Sequence, residues 1–150
     1  MAQNLNQFQQ TAERGQIALL TANSPVISAV VDSTEAGTLK AGDAVKLVST
    51  SVGIPHVVKS ASGDTACAGL VVFNPVKNDG IVAGDLVEIA ITGAFMYMVA
   101  SAAIEAGAAV DYAYATGKVA TANSGLACGK ALDAATGDGD LIRVAVQTAI

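Results

Sequence analysis

Two aspartates in this 150-residue chain share one local setting and are the first side chains that could do chemistry: Asp43 follows Ala41-Gly42, and Asp85 follows Ala83-Gly84. Paired carboxylates can cleave a glycosidic bond when they face each other across a cleft, roughly 5 to 9.5 Å apart. Nothing else in the sequence points to a cleft around these two. A glycine at positive φ, followed by an aspartate that hydrogen-bonds the nearby backbone, is a tight-turn device. His56, the sole histidine, heads an apolar β-prone run behind Pro55 and reads as structural or exposed. Cys67 and Cys128 lie in Ala/Gly-flanked apolar stretches with no Cys or His at ligand spacing. They read as small buried hydrophobes, not as a disulfide or a metal site. Asp133, Asp138 and Asp140 lack the ligand ladder and closing Glu of a calcium loop, and read as a turn. Nucleophile-elbow, phosphate-loop and dinucleotide motifs are missing. The chain therefore reads as a non-enzyme with no catalytic, cofactor-binding or metal-binding residues.

Composition narrows the partners. Apolar residues make up 52% of the chain and charged residues 14%, against roughly 25% charged in an ordinary soluble domain. That balance disfavours intrinsic disorder. Eight basic against 13 acidic side chains give a net charge of −5, which disfavours binding to nucleic acid through its phosphates. The charge-free run between Glu88 and Glu105 is too short and too interrupted by Thr92, Gly93, Tyr97 and Ser101 for a membrane span. The N-terminal residues lack the basic-then-apolar order of a secretory signal, so synthesis and residence in the cytoplasm are expected.

The elements that must position these residues are short strands. Runs expected to be extended are Ile17–Leu20, Val26–Val31, Val45–Ser49, His56–Lys59, Ala68–Phe73, Leu86–Ile91, Ala94–Val99, Val110–Tyr114, Lys118–Thr121 and Leu141–Gln147. Each is bounded by Gly, Asp, Asn or Pro. Only Ser101–Ala106 and Lys130–Ala135 read toward helix. The expectation is an all-β fold, a small barrel or sandwich of short strands, with residues 16–150 as one domain. Residues 1–15, rich in Gln and Asn, form an extended N-terminal arm, either frayed or ordered only against a neighbouring subunit, with Leu5 and Phe8 as its apolar anchors.

One turn-strand unit recurs. Leu39-Lys40-Ala41-Gly42-Asp43-Ala44-Val45-Lys46-Leu47 has the same form as Ile81-Val82-Ala83-Gly84-Asp85-Leu86-Val87-Glu88-Ile89. Ile104-Glu105-Ala106-Gly107-Ala108-Ala109-Val110-Asp111-Tyr112 repeats it with Ala108 in place of the aspartate. The spacings are unequal, so the unit reads as a reused turn device and not a solenoid. Gly42, Asp43, Gly84, Asp85 and Gly107 are its structural turn residues.

The ordered series Ala41–Val45, Gly53–Val57, Ala68–Val71, Gly84–Ala90, Ala106–Val110, Gly117–Val119, Gly129–Leu132 and Leu141–Val146 resembles the bacteriophage capsid cement, or structural decoration, proteins (the DUF2190 group). The likeness runs from about Val26 to Ile150. It departs at Ala108 and over the first 25 residues. The resemblance implies a virion protein on the outer surface of an icosahedral head, made in the host bacterial cytoplasm. It further implies contacts with the major capsid protein and with copies of itself, a trimer being favoured over a dimer. Multivalent contact would convert weak individual contacts into high avidity, and a surface low in charge suits burial on assembly. The alternatives are another virion component, such as a head-fibre base or tail-associated barrel, and a small β-barrel ligand-binding module or enzyme.

Overall fold

The structure is a computed structural model that describes residues 12–18, 25–65 and 67–148. Ten strands follow one another: β1 (Val26–Val31), β2 (Ala44–Leu47), β3 (His56–Lys59), β4 (Gly69–Val71), β5 (Leu86–Ala90), β6 (Phe95–Val99), β7 (Ala109–Ala113), β8 (Lys118–Thr121), β9 (Leu126–Ala131) and β10 (Leu141–Val146). The first five close into a barrel in the order β1-β3-β2-β4-β5, and the last five form a second sheet in the order β6-β10-β9-β7-β8. The fold is all-β, and no helix occurs among the described residues.

The second sheet repeats the first. β1 pairs antiparallel with β5, as β6 does with β10. The pairs β2·β3, β2·β4 and β4·β5 have antiparallel counterparts in β7·β8, β7·β9 and β9·β10. Even the parallel closure recurs: β1 meets β3 at Val30 and Val31, and the end of β6 meets β8 through one bridge, Ala100 to Val119. Turn hydrogen bonds agree residue by residue. Gly42 N–H donates to Val71 O at 2.7 Å, and Gly107 N–H to Ala131 O at 2.7 Å. Val31 N–H donates to Asp85 O, and Ala100 N–H to Asp140 O. The Leu39–Ile81 bridge likewise matches the Ile104–Ala135 bridge.

This duplication explains the unequal spacing of the sequence unit. Its first and third copies open the equivalent strands β2 and β7. Its second copy opens β5, whose counterpart β10 is entered through Thr136-Gly137-Asp138-Gly139-Asp140. Of the two segments that read toward helix, Ser101–Ala106 is a turn segment, and Lys130–Ala135 begins as the last two residues of β9 before it turns; the Ile104–Ala135 bridge joins them. β9 lies outside the expected strands, because Leu126-Ala127-Cys128-Gly129-Lys130-Ala131 carries no β-branched residue. Close packing explains its small residues: a Cβ on Gly129 would fall 2.1 Å from Ala145 O on β10.

Alternation along each strand builds two cores. Ala29, Val31, Leu39, Val45, Val57, Val71, Ile81, Val87 and Ile89 fill the first barrel. Met96, Met98, Ile104, Val110, Val119, Leu126, Cys128, Ile142 and Val144 belong to the second. Ala44, Leu70 and Ala90, paired side by side across β2, β4 and β5, join this second cluster from the outer wall of the first barrel. The two units are thus welded by apolar burial, about 1.5–3 kcal/mol for a fully buried side chain of leucine size.

Candidate functional site

The two units meet around one buried carboxylate. Asp43, in the turn that opens β2, is 1% exposed. Its Oδ1 accepts from Arg14 Nη2 at 2.9 Å and from the Tyr112 hydroxyl at 2.9 Å. Its Oδ2 accepts from Lys40 N–H at 3.0 Å and lies 3.2 Å from Lys59 Nζ. The partners come from three places: the segment before β1, the first barrel, and β7 of the second sheet. Burial alone would raise the Asp43 pKa, but the Arg14 and Lys40 hydrogen bonds and the charges of Arg14 and Lys59 outweigh it and hold the carboxyl below its ordinary range. Burial, then the adjacent Asp43 charge, pushes the Tyr112 hydroxyl well up.

Arg14 lies in a slot made by two glycines. A Cβ on Gly42 (φ +84°) would come within 2.8 Å of Arg14 Cγ, and one on Gly117 within 2.7 Å of its Nη2. Residues 15–18 continue as an extended strap along β6. Gly15 N–H donates to Tyr97 O at 2.7 Å, Tyr97 N–H to Gln16 O at 2.9 Å, and Ala18 N–H to Phe95 O at 2.7 Å. Gly15 O in turn accepts from Phe73 N–H of the first unit at 2.9 Å. A second tyrosine, just past the end of β7, reinforces the junction: the Tyr114 hydroxyl donates to Asp64 O at 2.9 Å and stacks edge-on to Tyr112.

The other aspartates flagged by sequence are each engaged locally and do not converge. Asp85 takes Val82 N–H at 2.9 Å and pairs with Lys77, the same backbone cap that Asp43 gives Lys40. Asp140 accepts from the Thr136 N–H and hydroxyl, Asp133 forms a two-pronged pair with Arg143, and Asp138 pairs with Lys118. His56 sits on the outer wall of the first barrel, its Nδ1 3.0 Å from Asp32 Oδ2. Both thiols are buried, and burial raises Cys67 to about 11 and Cys128 further. Gly84 (φ +90°) and Gly107 (φ +85°) stand at the turns into β5 and β7. Leu5 and Phe8 lie outside the described residues. Sequence reasoning missed the Arg14–Asp43–Tyr112 set, since its members stand far apart in the chain. The one available signal was an arginine in a segment otherwise polar and nearly uncharged, next to a glycine.

The outer surface offers recognition chemistry. Large apolar side chains stand exposed at Val52 (86%), Ile54 (52%), Val76 (92%) and Leu86 (69%), with Leu47 and Val82 less so. All six belong to the first unit; Leu132 is the one counterpart in the second among the described residues. Leu86 borders an open groove of about 530 Å³ lined also by Ser28, Phe73, Pro75, Lys77 and Glu88. Among the described residues, no three His, Cys, Asp or Glu side chains group as a metal site, and no helix is long and apolar enough to cross a membrane.

The two-unit fold has a counterpart among solved structures. It is similar to the N base of the head fibre protein gp8.5 of bacteriophage phi29, with a TM-score of 0.55 and 16% identity, over 84% of this chain and 98% of that one. At that identity the likeness concerns the fold. No curated protein matches the sequence. The family model described as phage cement protein matches residues 26–147, from the first residue of β1 to just past the end of β10. With both units of the duplication inside that match, the chain belongs to the phage cement protein family.

Proposed function

We propose that the protein decorates the outer surface of an icosahedral phage head and braces contacts between major capsid protein subunits, acting as a homo-oligomer with a trimer favoured over a dimer. The observation that carries this reading is the family match over residues 26–147. The surface supports it: six of the seven large exposed apolar side chains among the described residues lie on one of two otherwise alike units, a bias that burial against a partner would take out of water. The rigid junction at Asp43 suits a brace, because a clamp that must resist pressure should not bend between its units. Of the N-terminal arm of residues 1–15, Arg14 and Gly15 hold to the body of the chain, and the part ahead of them, with Leu5 and Phe8, would add contact area beyond the two units. The −5 net charge suits a position away from packaged DNA, on the outer side of the shell.

Co-sedimentation with expanded heads that lack their cement protein tests the reading. Saturable binding, with greater resistance of the heads to heat or chelator, is the expected result. Absence of binding, together with a monomer at high concentration, would overturn it. A second reading, the base of a head fibre, is favoured by the fold shared with the phi29 head-fibre base. Electron microscopy of decorated heads separates the two, since a fibre base would carry a projecting density at few positions and a cement protein would cover the lattice.

A further inference from the structure

The duplication exposes a difference between equivalent strand edges. Pro25 O, just ahead of β1, and Val31 N–H at its end bond to Ile91 N–H and Asp85 O, which flank β5. Odd-numbered residues therefore face β5, and Val26, Ser28 and Val30 present their backbone groups to the opposite side. On that side Val30 N–H reaches Pro55 O at 2.8 Å, and pairing with β3 covers only Val30 and Val31. Among the described residues nothing pairs with this edge at Val26 and Ser28. The counterparts of those two residues are Phe95 and Tyr97, and there the chain supplies its own strap, residues 15–18, joined to β6 by an antiparallel bridge at Ile17 and Met96 and by three backbone hydrogen bonds. Where β7 turns tightly into β8 through Thr116-Gly117, the β2–β3 loop is longer and carries Val52 and Ile54 outward, 86% and 52% exposed. The first unit thus has a strand-accepting notch with an apolar rim, and the second unit shows what fits such a notch.

We propose that the notch at Val26–Ser28 receives the N-terminal residues 1–11 of a second copy as an added strand, with Leu5 and Phe8 against Val52 and Ile54. The inference rests on the homo-oligomer stated above and names its contact. The occupant follows from the length and chemistry of the chain ahead of Ala12. Eleven residues extend to about 36 Å, enough to bridge neighbouring subunits. They carry no charged side chain, so an apolar-rimmed edge accepts them without burying an unpaired charge. They lead directly into the segment that already bonds along the edge of β6. The route is to a neighbour because Arg14 is fixed at Asp43 and Gly42, at the far end of the β2–β3 hairpin from Val52 and Ile54. Backbone pairing of this kind gives affinity, and side-chain pockets beside it give register.

Mixing full-length Phe8→Cys with full-length Ile54→Cys under oxidation tests the contact, since Cys67 and Cys128 are buried. A covalent mixed dimer is expected. Its yield should drop about tenfold, the loss of a hydrogen-bonded pair, when Ser28→Pro is added to the Ile54→Cys copy. Proline there removes an N–H that β5 does not use, and circular dichroism confirms that the barrel persists. Deletion of residues 1–11 should likewise leave a folded monomer. The proposal is overturned by an oligomer that forms no mixed dimer, by unchanged yield with folded Ser28→Pro, or by an oligomer that survives the deletion. It is equally overturned if a chain carrying both cysteines closes only on itself, or if Ile54→Cys cross-links head protein as well without the arm as with it. Head binding of the wild-type chain, measured in parallel, distinguishes failure of this contact from failure of the decoration reading. Binding without the mixed dimer removes this contact and leaves the decoration reading. The mixed dimer without head binding does the reverse.

Discussion

The first unit closes into a barrel on its own strands, whereas its repeat is a five-stranded sheet whose edge strand β6 takes on a segment from outside the sheet. Both units use one strand order, one set of turn bonds and one kind of apolar filling. They diverge where each meets something else. In the first unit the turn into the second strand carries Asp43, which gathers Arg14, Lys59 and Tyr112; in the second unit that position is Ala108. The outer wall of the first unit is dotted with exposed apolar side chains, while the equivalent wall of the second carries the Arg143–Asp133 pair and the strap. In this duplicated fold the first unit carries both the carboxylate that ties the units together and most of the exposed apolar side chains, while the second receives the strap and lends Tyr112.

The hardest blow to this arrangement is at Asp43. Asp43→Ala gives the first unit the residue that the second carries naturally at 108. It leaves Arg14 and Lys59 without a counter-charge and the Tyr112 hydroxyl without an acceptor. The expected loss is about 3–5 kcal/mol, the cost of breaking a buried pair by removing one partner, read from urea unfolding. The wild type should also show an acid limb that the variant lacks. The folded pKa of Asp43 lies below its unfolded value of about 3.9, so its contribution is full above that pH and is lost as pH falls through the folded pKa. A loss below about 1 kcal/mol would class Asp43 with surface ion pairs and remove it as the clamp.

Arg14→Ala tests the strap itself. With the guanidinium gone from its slot between Gly42 and Gly117, stability should fall by about 1.5–3 kcal/mol, the range for a hydrogen bond to a charged group. The loss should be local. Amide exchange should quicken at Gly15, Ala18 and Tyr97, whose N–H groups bond between strap and β6, and stay slow at Ala29 and Val31 inside the first barrel. Uniform quickening across both units would mean that the strap does not belong to one of them.

Much of this architecture is legible from residues alone, and the limits have physical causes. β1, β3 and β8 coincide with runs of β-branched and alternating residues, so local pattern and final structure agree there. β9 escapes because Cys128 and Gly129 are chosen for close approach to a neighbouring strand, which no local preference reports. The turn unit is visible three times in sequence, yet the duplication is not. Its fourth member, at Thr136–Asp140, has gained a residue and lost the Ala-Gly-Asp order. Asp43 itself is legible as a turn residue, because its bond to Lys40 N–H is local. Its bonds to Arg14 and Tyr112 span distant parts of the chain and depend on how the two units dock.

Ala108→Asp asks whether the second unit can accept the missing carboxylate. The residue across the strand from Val45 is Lys59, but the one across from Val110 is Thr121. A carboxylate at 108 would therefore gain the backbone cap of a turn without a cation to meet it. The expected result is a loss of about 1 kcal/mol, the lower end of the cost of desolvating a polar group without compensation. A gain in stability in the same unfolding assay would show that the turn, and not the cations, is what makes Asp43 favourable.

The smallest effect belongs to the outer wall of the second unit. Arg143 reaches Asp133 with two nitrogens, at 2.8 and 2.6 Å, and the Arg143 side-chain hydrogen bond is the main cause holding Asp133 at about 2. Arg143 is exposed and Asp133 half-buried, so solvent still screens much of the pair. Its counterpart in the first unit is Glu88, which aligns with Ser28 as Arg143 aligns with Tyr97 and forms no ion pair among the described residues. Because the folded pKa of Asp133 is depressed, its contribution is present above about pH 4, the ordinary carboxylate range, and disappears as pH falls toward 2. Asp133→Asn should melt marginally below wild type at pH 6, and the gap should close as pH falls through about 2. An Asp133→Asn variant that melts with wild type at pH 6 as well would show that solvent screening removes the whole contribution of the pair, leaving the two outer walls alike in ionic stabilisation.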